Sequence, residues 1–91
     1  MKRRAFNNKR DAVEVSIVSA LEKAGAKVWR LDQPFDLLCN ISEALYLIEC
    51  KTGRAGLNEN QIKLAKEWPV EILRTPEEAI QFMNSIRRLS T

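Results

Sequence analysis

Two short apolar segments of this 91-residue chain carry charged residues, and this placement constrains the fold more than any other feature. Residues 34–38 contain Asp36, and residues 45–51 contain Glu49 and Lys51. Alternate residues of a β-strand point to opposite faces, so Glu49 and Lys51 point to the same side. A charge in such a segment is costly to bury unless it is paired or bound to a metal. The pattern predicts two neighbouring strands that bring three charged side chains to one place.

The turn between these segments determines which residues face each other. A hairpin that turns between Ser42 and Glu43 would make Asp36 and Glu49 direct cross-strand neighbours, with Cβ atoms about 4.5–5.5 Å apart. Two carboxylates that close repel each other unless a cation or a proton lies between them. A register slip of one residue would send them to opposite faces and exclude a shared site.

The remaining patterns predict one α/β domain with element order α-β-β-β-α-β-α. Gly25 ends the first helix, and Asn58 is an N-cap for the second. Thr75, Pro76 and Glu78 are typical of an N-cap, a first helical position and a capping box for the last helix. The third strand is apolar on both faces, which indicates a strand covered on both sides. We expect helices over about 8–24, 59–67 and 76–89, and strands over 27–32, 35–40, 45–51 and 70–73.

The composition excludes several classes of site. The chain contains no histidine and only two cysteines, so triad hydrolases, histidine zinc sites and four-cysteine zinc sites are excluded. Carboxylates, lysine and an oxygen-binding metal remain for hydrolysis. We expect Cys39 and Cys50 to be buried free thiols rather than a disulfide. No long apolar run or signal peptide is present, so we expect a cytoplasmic protein, encoded by a phage or a cell, with no membrane partner.

Positive charge is concentrated at the N-terminus. Residues 1–10 carry five basic residues and no acid, whereas the remainder carries 10 basic and 12 acidic residues. A basic arm, which we assign to residues 1–7, ahead of a near-neutral body suits contacts with phosphates. The alternative is a solvated, frayed terminus. Arg54, between Gly53 and Gly56, either reaches a phosphate or lies in a mobile surface loop.

Two further polar residues have both a structural and a functional interpretation. Glu14 falls within the apolar stripe of the first helix, so it is either a core acid, paired for example with Arg10, or part of the carboxylate site. Gln61 lies near the start of the second helix. By itself it reads as a solvated helix glutamine, but its place after the third strand also puts it near the site.

Taken together, these residues resemble the PD-(D/E)xK nuclease superfamily, and the chain looks most like a small stand-alone VRR-NUC (virus-type replication-repair nuclease) protein. Archaeal-type Holliday junction resolvases are similar in layout. The resemblance covers roughly residues 7–80. It departs from many members because Phe35 stands between Pro34 and Asp36 and no glycine precedes them. The matching segments are Pro34-Phe35-Asp36, Glu49-Cys50-Lys51, Glu14 on the first helix, and Leu57-Asn58-Glu59-Asn60-Gln61.

The resemblance implies a restriction-endonuclease-like core, a mixed sheet flanked by helices, with a C-terminal helix. It also implies Mg²⁺- or Mn²⁺-dependent cleavage of DNA, often at branched or flap structures. Asp36, Glu49 and the Cys50 backbone carbonyl would bind the metal, and Glu14 would complete or support that site. Lys51 would orient or activate the attacking water, and Gln61 would hold water or Lys51. The residues expected to contact the DNA backbone are Arg3, Arg4, Lys9, Arg10 and Arg54.

The residues are compatible with more than one function. The rival to a structure-selective DNA endonuclease is a catalytically silent nucleic-acid-binding module on the same fold, and an RNA endonuclease is a third interpretation.

The last helix carries more apolar residues than one core-facing stripe needs, which predicts a homodimer through a C2 interface, with a broad core helix as the alternative. These apolar residues are Ala79, Ile80, Phe82, Met83, Ile86 and Leu89.

Overall fold

The computed structural model describes the backbone of residues 8–90 and the side chains of residues 12–89. The elements follow the predicted order, and most of their bounds lie within two residues of the prediction. They are α1 (Asn8–Lys23), β1 (Lys27–Arg30), β2 (Leu37–Ile41), β3 (Ala44–Cys50), α2 (Glu59–Ala65), β4 (Val70–Leu73) and α3 (Pro76–Ser90).

The four strands form one mixed sheet in the order β1-β2-β3-β4. The pairs β1–β2 and β2–β3 are antiparallel, and β3–β4 is parallel because α2 carries the chain back between them. The predicted β2–β3 register is confirmed, with Leu37 opposite Ile48 and Ile41 opposite Ala44. Ser42 and Glu43 both have positive φ, 53° and 69°, as a tight two-residue hairpin turn requires.

The core lies between one face of the sheet and the helices α1 and α3, which also pack against each other. Cys39 and Cys50 point into this core as buried free thiols, as predicted. Because strand residues alternate, Glu49 projects from the opposite face to Ile48 and Cys50. The largest fully buried apolar side chains are Phe35, Ile17, Leu21, Leu37, Ile48 and Leu73.

The prediction that β3 is covered on both sides is wrong for its first half. Only Ile48, Glu49 and Cys50 are buried, whereas Leu45 is 66% exposed. The first half of β3 belongs to the projecting β2–β3 hairpin. On the face away from the core an apolar groove is left open, lined in part by Leu38, Leu47 and Trp68.

The capping predictions are confirmed except for one contact. Gly25 follows α1 with φ of 110°, a conformation that glycine adopts without steric cost. The Thr75 hydroxyl accepts the Glu78 main-chain N–H at 3.0 Å, as expected for an N-cap. The Glu78 carboxylate, however, accepts the N–H of Arg74 at 2.8 Å and not that of Thr75, so it caps one residue further back than a capping box does.

The apolar residues of α3 divide into a core stripe and two flanks. Ala79, Met83 and Ile86 are buried, and Phe82 packs edge-on against Tyr46 with ring centroids 5.6 Å apart. Ile80 and Leu89 are exposed. They are nine residues apart, which at about 100° per residue places them on opposite sides of the helix, so they do not form one patch. None of the helices in the described part of the chain has the length and apolar character needed to cross a membrane.

Candidate active site

Asp36 and Glu49 lie side by side, buried, at the point where β2 begins and β3 ends. Asp36 is 4% exposed and Glu49 is 1% exposed. The Asp36 main-chain N–H donates to Glu49 Oε1 at 3.0 Å, and the Cys50 N–H donates to Asp36 Oδ2 at 2.8 Å. Each carboxylate therefore accepts a backbone N–H across the junction of the two strands, which fixes the position of both acids.

The turn that joins β1 to β2 carries Asp36 to this position. The Asp36 carbonyl accepts the N–H groups of Leu31 and Asp32, at 2.8 and 3.3 Å, which continues the β1–β2 pairing past the end of both strands. Asp32 has φ of 73°, and the peptide bond between Gln33 and Pro34 is cis. The chain thus turns between the end of β1 and the start of β2, and Phe35 within this turn is buried.

Lys51 faces Glu49 at the floor of a polar cleft. Its Nζ lies 3.3 Å from Glu49 Oε2, and its side chain is 18% exposed. The cleft has a volume of about 510 Å³. The 32–34 turn forms one wall and the start of α2 forms the other, and the lining residues are Asp32, Gln33, Pro34, Glu49, Lys51, Asn58, Asn60 and Gln61. Asp36 is not among them, so within the carboxylate pair Glu49 is the one that borders the cleft.

Gln61 connects the two walls of the cleft. Its Nε2 donates to the Pro34 carbonyl at 2.7 Å, and its Oε1 accepts the Asn58 N–H at 3.1 Å. The Asn58 side chain in turn accepts the Gln61 N–H at 2.8 Å, which completes a capping box at the start of α2. Gln61 is therefore buried and structural as well as close to Lys51, and it is not the solvated glutamine of the alternative interpretation.

Glu14 lies on the core side of the sheet and not in the cleft. Its carboxylate forms an ion pair with Arg30 Nε at 3.4 Å, and its side chain is 12% exposed. The Arg10 side chain, suggested as its partner, lies outside the described residues. Glu14 is still close enough to act on Cys50: burial, and then the negative charges of Asp36, Glu14 and Glu49, raise the pKa of that thiol well above its ordinary value. Three acids thus surround the end of β3 from both faces.

The oxygen donors at the end of β3 suit a hard cation. Asp36 and Glu49 place two carboxylates within one hydrogen-bond network, and the Lys51 ammonium contacts Glu49. Mg²⁺ is usually bound by one or two carboxylates together with several waters, so this donor set is sufficient for it. Among the described residues, no three His, Cys, Asp or Glu side chains are arranged to hold a metal ion. A bound metal would therefore depend on two carboxylates, backbone oxygen and water.

The predicted DNA-contacting residues are only partly described. Arg3 and Arg4 lie outside the described residues, and Lys9 and Arg10 belong to α1 with side chains that also lie outside them. Arg54 is exposed in the 52–56 loop, where the Ala55 N–H donates to the Thr52 carbonyl at 3.1 Å.

The sequence did not identify several contributors to the site, and one of them is Asp32, which lines the cleft. Asn60 lines the cleft, and Arg74 donates from Nη1 to two carbonyls of the 52–56 loop. Arg74 directly follows β4, whose last residue pairs with Cys50, so the parallel register was the signal that could have placed it beside Lys51.

No family model matches the chain, and comparison with curated proteins and with solved structures gives no match either.

Proposed function

We propose that this chain is a divalent-metal-dependent DNA endonuclease of the PD-(D/E)xK superfamily, most similar to stand-alone VRR-NUC proteins and to Holliday junction resolvases. The single observation that supports it best is the buried pair of Asp36 and Glu49 beside a polar cleft. Lys51 Nζ lies 3.3 Å from Glu49 Oε2 of this pair. Two buried carboxylates in one hydrogen-bond network concentrate negative charge beside the cleft, and a divalent cation would offset it.

The metal would be held by Asp36, Glu49 and the Cys50 backbone carbonyl, with Glu14 in a supporting position behind them. Bound there, Mg²⁺ or Mn²⁺ would lower the pKa of a water and neutralise charge on the phosphate. Lys51 presents the only described ammonium within ion-pair distance of Glu49, so it would orient the attacking water or stabilise a phosphate oxygen. Gln61 would fix the width of the cleft, because its hydrogen bond to the Pro34 carbonyl joins the two walls.

In the proposed reaction, water attacks phosphorus in line with the bond to the 3′ oxygen. The phosphorus–oxygen bond breaks, the departing 3′ oxygen takes a proton, and the products carry a 5′-phosphate and a 3′-hydroxyl. The proposal extends to the fold: the order α-β-β-β-α-β with a mixed sheet supports a restriction-endonuclease-like core. The biological setting would be a phage, a prophage or a cellular DNA-repair system.

The substrate would be DNA recognised by shape. The basic residues Arg3, Arg4, Lys9 and Arg10, together with Arg54, would bind the backbone, and phosphate contacts position a protein without reading sequence. Branched DNA, such as a flap or a four-way junction, would be distinguished by its geometry.

A homodimer is a separate part of the proposal. It is supported by the amount of apolar surface that a chain this small leaves exposed, at Leu45, Trp68 and Leu89 among others. A C2 dimer would also match the symmetry of a four-way junction.

The test is cleavage of labelled duplex, flap, splayed-arm and four-way-junction DNA with Mg²⁺, with Mn²⁺ and with a chelator. Wild type is compared with Glu49→Gln and Lys51→Ala. Glu43→Gln and Lys63→Ala are the matched controls, because both residues are exposed and neither lines the cleft. We expect metal-dependent cutting that both site variants lose and both controls keep. Cutting that persists in Glu49→Gln and Lys51→Ala would rule the proposal out.

The second candidate is a catalytically silent nucleic-acid-binding module. It is favoured by the main-chain hydrogen bonds that both carboxylates already accept, because such acids can serve the fold alone. The same experiment separates the two: tight binding of DNA without cutting under either metal would support the silent module.

A further inference from the structure

Arg74 joins three parts of the molecule that are far apart in sequence. It directly follows β4, and the N–H of Lys51 donates to the carbonyl of the preceding Leu73 at 3.1 Å. Arg74 Nη1 donates to the Gly53 carbonyl at 2.9 Å and to the Ala55 carbonyl at 2.7 Å. Its main-chain N–H donates to Glu78 Oε1, at the start of α3, at 2.8 Å.

The two accepting carbonyls flank Arg54. One guanidinium nitrogen therefore holds the carbonyls of the residues before and after Arg54, and this limits the movement of the loop around Arg54. Gly53 supports the arrangement with φ of 55°, which a residue with a side chain adopts only with strain. The loop that leaves the end of β3 is thus held against Arg74, the residue that directly follows β4.

We propose that Arg74 is a positioning residue that holds the 52–56 loop so that Arg54 meets the DNA backbone next to Lys51. This inference rests on the proposed function, because it assigns Arg54 to the substrate. Arg74 acts through the Gly53 and Ala55 carbonyls and contacts no substrate atom itself. The guanidinium suits this role because its N–H donors are fixed in one plane, so a single group holds two acceptors in a defined geometry.

The competing explanation is that Arg74 is an ordinary surface arginine whose contacts do little. Both of its contacts to loop carbonyls are exposed to solvent, so their loss should scarcely change global stability. Variants of Arg74 can therefore be tested in a folded protein. The mobility of the 52–56 loop is the quantity that separates the two explanations.

The first readout needs no nuclease activity. Arg54 is itself a trypsin site, and cleavage of the Arg54–Ala55 bond requires the loop to open. In the full-length chain without DNA, we expect Arg74→Met to accelerate cleavage at this bond about tenfold, and Arg74→Lys to fall between that variant and wild type. Arg87→Met is the matched control, since Arg87 also donates to a main-chain carbonyl, that of Ala24, but far from the loop. An unchanged cleavage rate in Arg74→Met would overturn the inference.

The second readout is DNA affinity, measured with a Lys51→Ala background so that the substrate stays intact. We expect Arg54→Ala and Arg74→Met each to weaken binding about tenfold, and the double variant to be no weaker than either one. If the two substitutions weaken binding independently, so that their fold-changes multiply in the double variant, the inference is overturned and the proposed function stands. If the background protein binds no DNA while Arg74→Met still accelerates trypsin cleavage, the proposed function fails and the role of Arg74 in holding the loop stands alone.

Discussion

Asp36 donates its main-chain N–H to the Glu49 carboxylate, and the Asp36 carboxylate accepts the N–H of the residue that follows Glu49. Each acid therefore helps to fix the position of the other across the junction of β2 and β3. Any substitution at either position changes both the local structure and the proposed chemistry. The variants below are chosen to separate these two effects.

Metal binding should stabilise the fold through Glu49. A ligand that binds only the native state raises stability by about 2.7 kcal/mol at a concentration of 100 times its Kd. We expect the melting temperature of wild type to rise with increasing Mn²⁺ or Mg²⁺, and that of Glu49→Gln to stay constant, because the amide carries no charge. Differential scanning fluorimetry measures this without any DNA. Glu43→Gln should respond as wild type does, and an equal rise in Glu49→Gln would place the metal elsewhere.

Asp36→Ala should be less stable than Asp36→Asn. The alanine leaves the buried Cys50 N–H without its acceptor, at a cost of about 1–3 kcal/mol, whereas the asparagine retains an acceptor oxygen. Urea unfolding measures the difference. Both variants should lose cleavage if Asp36 binds metal. An asparagine variant that cuts at the wild-type rate would leave Asp36 with a structural role only.

Gln61→Glu should isolate the contact across the cleft. A carboxylate can still accept the Asn58 N–H, but it has no N–H to donate to the Pro34 carbonyl and places negative charge against it. We expect a loss of about 1–3 kcal/mol of stability and a fall in kcat. Gln81→Glu, on the exposed side of α3, is the control and should change neither quantity. Full activity in Gln61→Glu would mean that the cleft does not depend on this hydrogen bond.

Alkaline pH should destabilise the protein through Cys39. Burial first, and then the negative charge of Glu22, raise the pKa of this thiol from 9.0 to about 11. The folded state therefore holds the proton more tightly, so the stabilising effect is complete below pH 9 and is lost as the pH rises towards 11. Denaturant unfolding between pH 8 and pH 11 should show that the free energy of unfolding of wild type declines. This decline should be smaller in Cys39→Ala, by about 2–3 kcal/mol. Identical slopes in the two proteins would show that other groups cause the decline.

The homodimer can be tested at Leu89, which is 88% exposed at the end of α3. If α3 forms the interface, light scattering should give a dimeric mass for wild type and a monomeric mass for Leu89→Lys, since a buried lysine at a C2 interface meets its own copy. Ile80→Lys probes the opposite side of the helix. A monomeric mass for wild type at tens of micromolar would make the dimer prediction wrong.

Local patterns were sufficient to predict the element order and the β2–β3 register. The polar pair Ser42 and Glu43 between two apolar segments favours a hairpin, and a turn at this pair fixes which residues of the two strands face each other. The neighbourhood of Asp36 and Glu49 followed from that register. The end of α1 at Gly25 and the start of α3 at Thr75 followed from capping chemistry that depends on a few adjacent residues.

The exposure of each surface could not be predicted in the same way. The apolar composition of β3 indicated cover on both faces, yet Leu45 is exposed because no helix extends over the hairpin. Likewise, Glu14 pairs with Arg30, 16 positions along the chain, and not with a neighbour on its own helix. Such partners depend on which elements meet, and periodicity in one segment carries no information about that.

The sequence by itself determined the elements, the hairpin register and the residue types available for chemistry, because these depend on short-range sterics, alternation and composition. Only the tertiary structure decided that Gln61 spans the cleft to Pro34, that Glu14 pairs with Arg30, and that Arg74 holds the loop around Arg54. The physical reason is that each of these contacts joins side chains to groups on other elements. Their distances are set by how the sheet and helices pack together, and not by the spacing of residues along the chain.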